Sequence, residues 1–173
     1  MSEFKNYNKA ANQFYKGQNI KTLPLHSWDI FSPYYSKLFK EFNDLNSLAT
    51  LAKGNNWSYE NQFYAALVEK KQVIVVTDAQ LNIVHATHNI YGMNGYSTDE
   101  ILGKKPKMFQ GKATCKETTK YIAKAVKAKK SFEAVLVNYR KDGSSYKCWI
   151  KGEPIWNNKG KVVNFIAYER KVA

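Results

Sequence analysis

Few residues of this chain have the type and spacing for covalent chemistry. Cys115 and Cys148 make no disulfide framework and have no metal-ligand spacing. Both read as packing or surface residues, and a reducing cytoplasm suits them. His85 and His88 read as surface or structural histidines rather than ligands. There is no nucleophile elbow, paired-acid motif, phosphate loop or metal spacing, so neither an enzyme nor a metal site is expected. What remains is a group of polar residues that strand alternation can gather. Asn138, Cys148 and Glu169 fall on one face of three strand-like runs, together with Ala134, Leu136, Ile150, Phe165 and Ala167. An amide, a thiol and a carboxyl converging in an apolar setting suit the binding of a small polar ligand. The alternative is a cavity filled by its own side chains, with Glu169 reaching solvent or a lysine.

The elements that would position these groups are legible from Gln72 onward. Val73–Thr77 is a β-branched run, hence a strand, and residues 82–86 return after a turn. Gly95 closes a short helical pattern begun near His88. Ser97 with Glu100, and Thr114 with Glu117, each read as a capping box. The second opens a long helix over about residues 115–129, with Tyr121, Ile122, Ala125 and Val126 facing inward. Residues 132–140, 145–155 and 162–169 are strands, separated by the turns at Lys141-Asp142-Gly143 and Asn157-Asn158-Lys159-Gly160. Val135, Val137, Trp149, Ile166 and Tyr168 share the opposite face, which also needs a cover.

Residues 1–71 read as a mostly helical, aromatic-rich extension. A rough helical stripe runs from Glu3 to Tyr15, and Leu23-Pro24-Leu25 is extended. Ser32-Pro33 reads as N-cap and first helical residue, a break falls at Asn43–Ser47, and Ser58 caps a further helix carrying Phe63, Ala66 and Leu67. This extension is expected to pack on the sheet or at a dimer interface.

The net charge of +13 is almost all lysine, with Arg140 and Arg170 the only arginines. Arginine is the usual reader of phosphate forks and guanine edges; lysine is a hydrated point charge. Lys116, Lys120, Lys124 and Lys127 fall along one side of the long helix, as a solvated face or a phosphate-binding stripe. Aromatic residues do not alternate with them on the exposed side, which argues against single-strand binding. No apolar run reaches the roughly eighteen residues of a membrane span, and the N-terminus lacks the apolar centre of a signal peptide.

The order of these pieces resembles the PAS domain family, within it the light-oxygen-voltage (LOV) branch. The matching residues are Val73–Asp78, Gly95-Tyr96-Ser97, Glu100–Gly103, Lys105–Gly111, Asn138–Gly143, and Pro154-Ile155 through Gly160–Val162 to Phe165-Ile166. The resemblance implies an α+β fold: a five-stranded antiparallel sheet of order 2-1-5-4-3, with short helices and one long helix on one face. The PAS domain would occupy residues 72–173. LOV domains bind flavin mononucleotide and form a light-driven bond to it from a cysteine. Carried over residue by residue, the signature glutamine falls at Gln110 and the first flavin-edge asparagine at Asn138. The second asparagine falls at Cys148, the final glutamine at Glu169, and an asparagine near the end of the second strand at Thr87. The nucleophile position is Pro106, flanked by Lys105 and Lys107, so cysteinyl-adduct chemistry is excluded. With two edge amides absent, flavin is disfavoured, and so is haem, because no histidine lies on the long helix.

The expectation is therefore a cytoplasmic PAS sensor or regulatory module in signal transduction, with a small ligand unidentified. The candidate pocket residues are Asn138, Cys148, Glu169, Gln110 and Thr87. Protein partners or self-association would use the outer sheet face and the N-terminal helices. The alternatives are a structural dimerisation domain with a filled cavity, a basic nucleic-acid-associated regulator, and a flavin-binding LOV-like protein without adduct chemistry. No kinase, cyclase or helix-turn-helix module is legible, so action by binding is expected.

Overall fold

The computed structural model describes residues 26–58 and 63–172. The chain divides into two compact units, residues 1–38 and 39–173. The readings made for Glu3–Tyr15 and Leu23–Leu25 lie outside the described residues. Helix α1 spans His26–Gly54 with Pro33 inside it, so Ser32-Pro33 does not open a helix. The proline gives up one backbone bond and the helix continues. Nor does the chain break at Asn43–Ser47. Tertiary contacts override the weak propensity there: Leu48 is fully buried, Leu45 and Leu51 pack beside it, and the Asp44 carboxylate is held by His88. Ser58 bonds the Trp156 carbonyl through both N–H and hydroxyl, tying it to the sheet. Ala65–Glu69 forms a π-helical turn.

Five strands follow: β1 (Val73–Asp78), β2 (Ile83–Ala86), β3 (Phe132–Tyr139), β4 (Ser145–Trp156) and β5 (Val162–Val172). They form one antiparallel sheet of order β2-β1-β5-β4-β3. Between β2 and β3 lie α2 (Ile90–Asn94), α3 (Thr98–Ile101), a 3-10 turn (Pro106–Phe109) and α4 (Lys116–Lys127). Gly95 caps α2 at φ 78°, a left-handed conformation that glycine adopts without strain. The capping box of Ser97 and Glu100 opens α3. The second box does not form. Cys115 is the N-cap of α4, while the Thr114 hydroxyl donates to the Val137 carbonyl at 2.6 Å and accepts from the Gly111 N–H at 2.9 Å. Thr114 thus ties the start of α4 to β3.

The register fixes which residues share a face. Ala134 lies opposite Ile150, which lies opposite Glu169, which lies opposite Val73. Asn138 pairs with Tyr146, and Leu136 with Cys148. On the outer face Ile74, Val76, Ile155, Ile166 and Tyr168 pack against Leu48, Phe63, Ala66 and Leu67. These four residues all come from the segment that precedes β1. Asp44 pins this layer: its Oδ2 accepts from the His88 N–H at 2.9 Å and lies 2.6 Å from His88 Nδ1.

Candidate functional site

The inner face of the sheet is covered in two ways. At one end Val73, Ala86, Tyr146 and Cys148 pack against Ile90, Met93, Ile101 and Phe109 as a closed core. At the other end lies a cavity of ≈ 670 Å³. Its floor is Val75, Thr77, Leu136, Asn138, Ile150, Gly152, Phe165, Ala167 and Glu169. Its roof is Ile122, Ala123 and Val126 of α4, and its side is the 3-10 segment with Pro106, Phe109 and Gln110. The walls are mostly apolar and the volume lies within the ~300–1,000 Å³ of small-molecule sites. Helix α4 has no fully buried residue, because its apolar side faces this space. Tyr121, expected to face inward, is exposed and does not line the cavity. A helix turns only a stripe of its circumference to the sheet, and Ile122, Ala123 and Val126 occupy that stripe.

The five candidate residues separate. Gln110, Asn138 and Glu169 line the cavity. Cys148 stands beside it in the packed core, its Sγ 3.7 Å from Glu169 Oε2. Thr87 is placed elsewhere. Its hydroxyl accepts from the Ile74 N–H at 2.9 Å and bonds Asn89 Oδ1 at 2.6 Å, satisfying backbone where β2 ends. Neither cysteine lines the cavity.

Asn138 and Glu169 are both buried, and the Oδ1 of Asn138 has no hydrogen-bond partner. Thr77 Oγ1 is also buried, unpartnered and in the lining. Buried polar atoms are normally paired, so these two mark where a ligand's polar edge would sit. Sequence alone does not single out Thr77; its signal is a polar residue at an inward position of an otherwise apolar strand. Burial pushes the Glu169 carboxyl up to about 7, with the Cys148 thiol as the smaller, opposing influence. Burial likewise pushes up the Cys148 thiol and the Tyr146 hydroxyl. Lys105, Lys107, Lys120 and Lys127 line the cavity while remaining exposed, so four cations stand at its rim. At its β3–β4 end, a Cβ at Gly152 would lie 2.3 Å from the Phe132 ring. Only glycine lets that ring lie across the strand.

The PAS domain family profile matches residues 71–170. The chain belongs to the PAS domain family. Its relatives place it in the LOV-like branch. It is 35% identical over 111 residues to phototropin-2 of Oryza sativa subsp. japonica, which is 62% of this chain and 12% of that protein. It is 33% identical over 108 residues to Protein TWIN LOV 1 of Arabidopsis thaliana, covering 60% of this chain and 27% of that protein. The matches thus span little more than a quarter of these relatives at most. Among solved structures, a light-oxygen-voltage domain studied with a flavin analogue matches with a TM-score of 0.61 and 27% identity, over 66% of this chain and 87% of that one. The dark-state LOV domain of the blue-light photoreceptor Aureochrome1 matches with a TM-score of 0.61 and 29% identity, over 67% of this chain and 86% of that one.

PAS proteins of this branch are sensory domains of signalling proteins, some joined to a kinase, as in the blue-light-activated histidine kinase of Brucella anthropi. The similarity here covers the sensor domain. No helix among the described residues is long and apolar enough to cross a membrane. The comparisons overturn the expectation against flavin, since the neighbours include blue-light photoreceptors and a domain studied with a flavin analogue. The residues of the cavity fit such a group: an unpartnered buried amide oxygen, an unpartnered hydroxyl, apolar floor and roof, and a cationic rim. Two flavin-edge amides of the family are absent, at Cys148 and Glu169. The cavity's volume and Thr77 weigh on the other side, and burial raises the Glu169 carboxyl to about 7.

Proposed function

We propose that this chain is a cytoplasmic flavin-binding sensor module that works without a cysteinyl adduct. The observation that carries this reading is the ≈ 670 Å³ cavity between α4 and the sheet, with Asn138 Oδ1 and Thr77 Oγ1 buried and unpartnered in its wall. A fused aromatic ring suits apolar surfaces above and below, here Ile122 and Val126 over Leu136 and Ile150. Asn138 and Thr77 would hold its polar edge, and Gln110 would offer a further amide. A phosphate tail suits the rim, where Lys105, Lys107, Lys120 and Lys127 lie. A flavin would supply light absorption and one- or two-electron chemistry. The chain's residues would orient the ring, exclude water from it and hold its phosphate.

The output rests on the sheet. β1 presents Val75 and Thr77 to the cavity, and Ile74 and Val76 to the layer formed by Leu48, Phe63, Ala66 and Leu67. A ligand that favours one packing of this layer over another shifts the population between them, and a partner protein reads the difference.

The test is equilibrium titration of the purified apoprotein with riboflavin 5′-phosphate and with riboflavin, followed by quenching of flavin fluorescence. Saturable binding of both is expected, tighter for the phosphate, with the difference shrinking as salt screens the rim. Changing Lys105 and Lys127 together to glutamate should remove the phosphate's advantage and leave riboflavin binding intact. Failure of either flavin to bind would overturn the reading.

A further inference from the structure

We infer that the helical side of the domain is a docking surface for an anionic phospholipid membrane, which it meets through α4 and the segment before it. The inference does not depend on the flavin reading. Residues 103–131 hold ten lysines, one carboxylate (Glu117) and no arginine. Ten lysines against one carboxylate place +9 of the chain's +13 in this stretch. All ten are exposed. None belongs to the ion pairs among the described residues, which include His88–Asp44, Lys141–Glu100 and Lys151–Glu153. The charge is sorted by face. Residues 39–54 of α1, whose leucines pack on the opposite face of the sheet, carry two lysines and two carboxylates.

Neither the fold nor the cavity accounts for so many cations. Lys105, Lys107, Lys120 and Lys127 line the cavity, while Lys104, Lys112, Lys116, Lys124, Lys129 and Lys130 do not. Lys116, Lys120 and Lys124 follow one another along α4 at i, i+4 spacing, where like charges repel. Lys116 also stands in the first turn, where the helix dipole disfavours a cation. The face therefore works against the helix that carries it, and an anionic surface laid on it would relieve the repulsion. What accompanies the lysines selects among anionic partners. Nucleic acid is read by arginine forks and, on single strands, by aromatic rings interleaved with the cations. Helix α4 has one aromatic residue, Tyr121, which is 52% exposed and lies on one flank of the lysine row. Beyond the helix end, Lys129 lies 5.8 Å over the ring of Trp156, itself 38% exposed. Hydrated point charges flanked by tyrosine and tryptophan suit a plane of anionic headgroups, where amphipathic rings settle at the interface. Such a contact is peripheral and electrostatic.

The experiment is co-sedimentation of the full chain with vesicles, of phosphatidylcholine alone and with about one-third phosphatidylserine, at rising salt and with duplex DNA as competitor. Binding is expected to the anionic vesicles only, and should weaken steeply as salt screens the face. Lys116→Gln combined with Lys124→Gln, neither of which lines the cavity, should weaken binding roughly thirtyfold. The same pair should leave the urea midpoint at or above that of the wild type, since a repulsion is removed. Tyr121→Ser should weaken vesicle binding severalfold. Lys40→Gln combined with Lys53→Gln, both exposed on α1, should stay within about twofold of the wild type. No binding to anionic vesicles at low salt, equal binding to neutral ones, or equal loss in the two lysine pairs would overturn the inference. Displacement by duplex DNA at matched phosphate concentration, with Tyr121→Ser binding vesicles as the wild type does, would overturn it in favour of nucleic acid. Each of these outcomes leaves the flavin reading standing.

Discussion

The two ends of the inner sheet face are built from the same strands and covered by helices of opposite habit. Helix α2 has five residues and buries Ile90, Met93 and Asn94. Helix α4 has 12 residues and buries none. Burial, not length, decides what a helix contributes to stability. The short helices hold the fold, and α4 roofs a chamber. One consequence is that stability and ligand binding separate along the sheet, and substitutions at the two ends should have opposite signatures.

The largest effect is expected at the packed end. Ile101 is fully buried in the one-turn helix α3. Ile101→Ala should cost about 2–5 kcal/mol, the lost transfer energy plus the void left in a region that cannot collapse. Urea denaturation of the apoprotein checks this. A loss below about 1 kcal/mol would mean that this end is as loosely filled as the other.

The next effect concerns pH and lies at the boundary between the two ends. Glu169 has its carboxyl raised from 4.5 to about 7 by burial. Between those values the folded state binds more protons than the unfolded state, so stability falls as pH rises through this window and levels off above about 7. The full contribution is roughly 3 kcal/mol at 1.36 kcal/mol per pKa unit. Denaturation midpoints of wild type and Glu169→Gln, compared across the window, should converge at the acid end and separate in the variant's favour near neutrality. Parallel curves would place the carboxyl in contact with water.

How far these regions can be read in the sequence follows from what each depends on. The Ser97–Glu100 box and Gly95 are local, and both stand as the residues suggest. The sheet faces are legible because side-chain direction alternates along a strand, which puts Asn138 and Glu169 on one wall. Three things depend on distant partners and are not legible. Residues 43–47 stay helical because Leu48 packs on the outer face and Asp44 meets His88. The Thr114 hydroxyl leaves its helix for the Val137 carbonyl. Thr87 has a pocket-like position by alignment, yet it bonds the backbone of Ile74. Alternation gives the face of a residue and is silent on whether the space before it is filled, so the cavity and the role of Thr77 in it emerge only in three dimensions.

The boundary of the cavity can also be moved. Gly152→Ala sets a methyl 2.3 Å from the Phe132 ring on the neighbouring strand. Because the clash is with an aromatic ring fixed at the start of β3, the ring must turn from its place. Overpacking of this kind costs about 1–3 kcal/mol. Since Phe132 and Gly152 both line the cavity, flavin affinity should fall roughly tenfold, the equivalent of about 1.4 kcal/mol. Denaturation and titration on one sample check both, and unchanged affinity would place the ligand away from β3.

The smallest expected effect on stability is the one that sharpens the comparison most. Val126 lies on α4, half-buried, and faces the cavity rather than the core. Val126→Ala removes two carbons whose contact in the apoprotein is largely with open space, and alanine is the better helix former. The two terms oppose each other, so apoprotein stability should change by less than about 0.5 kcal/mol. With a ring bound, the same two carbons would cover its face, and losing part of about 0.8 kcal/mol per methylene should weaken binding roughly fivefold. Ile101→Ala makes the opposite pair: a large loss of stability and, under conditions where it remains folded, little change in affinity. If Val126→Ala instead destabilised the apoprotein by several kcal/mol, α4 would be a core helix, and the contrast between the two ends of the sheet would fail.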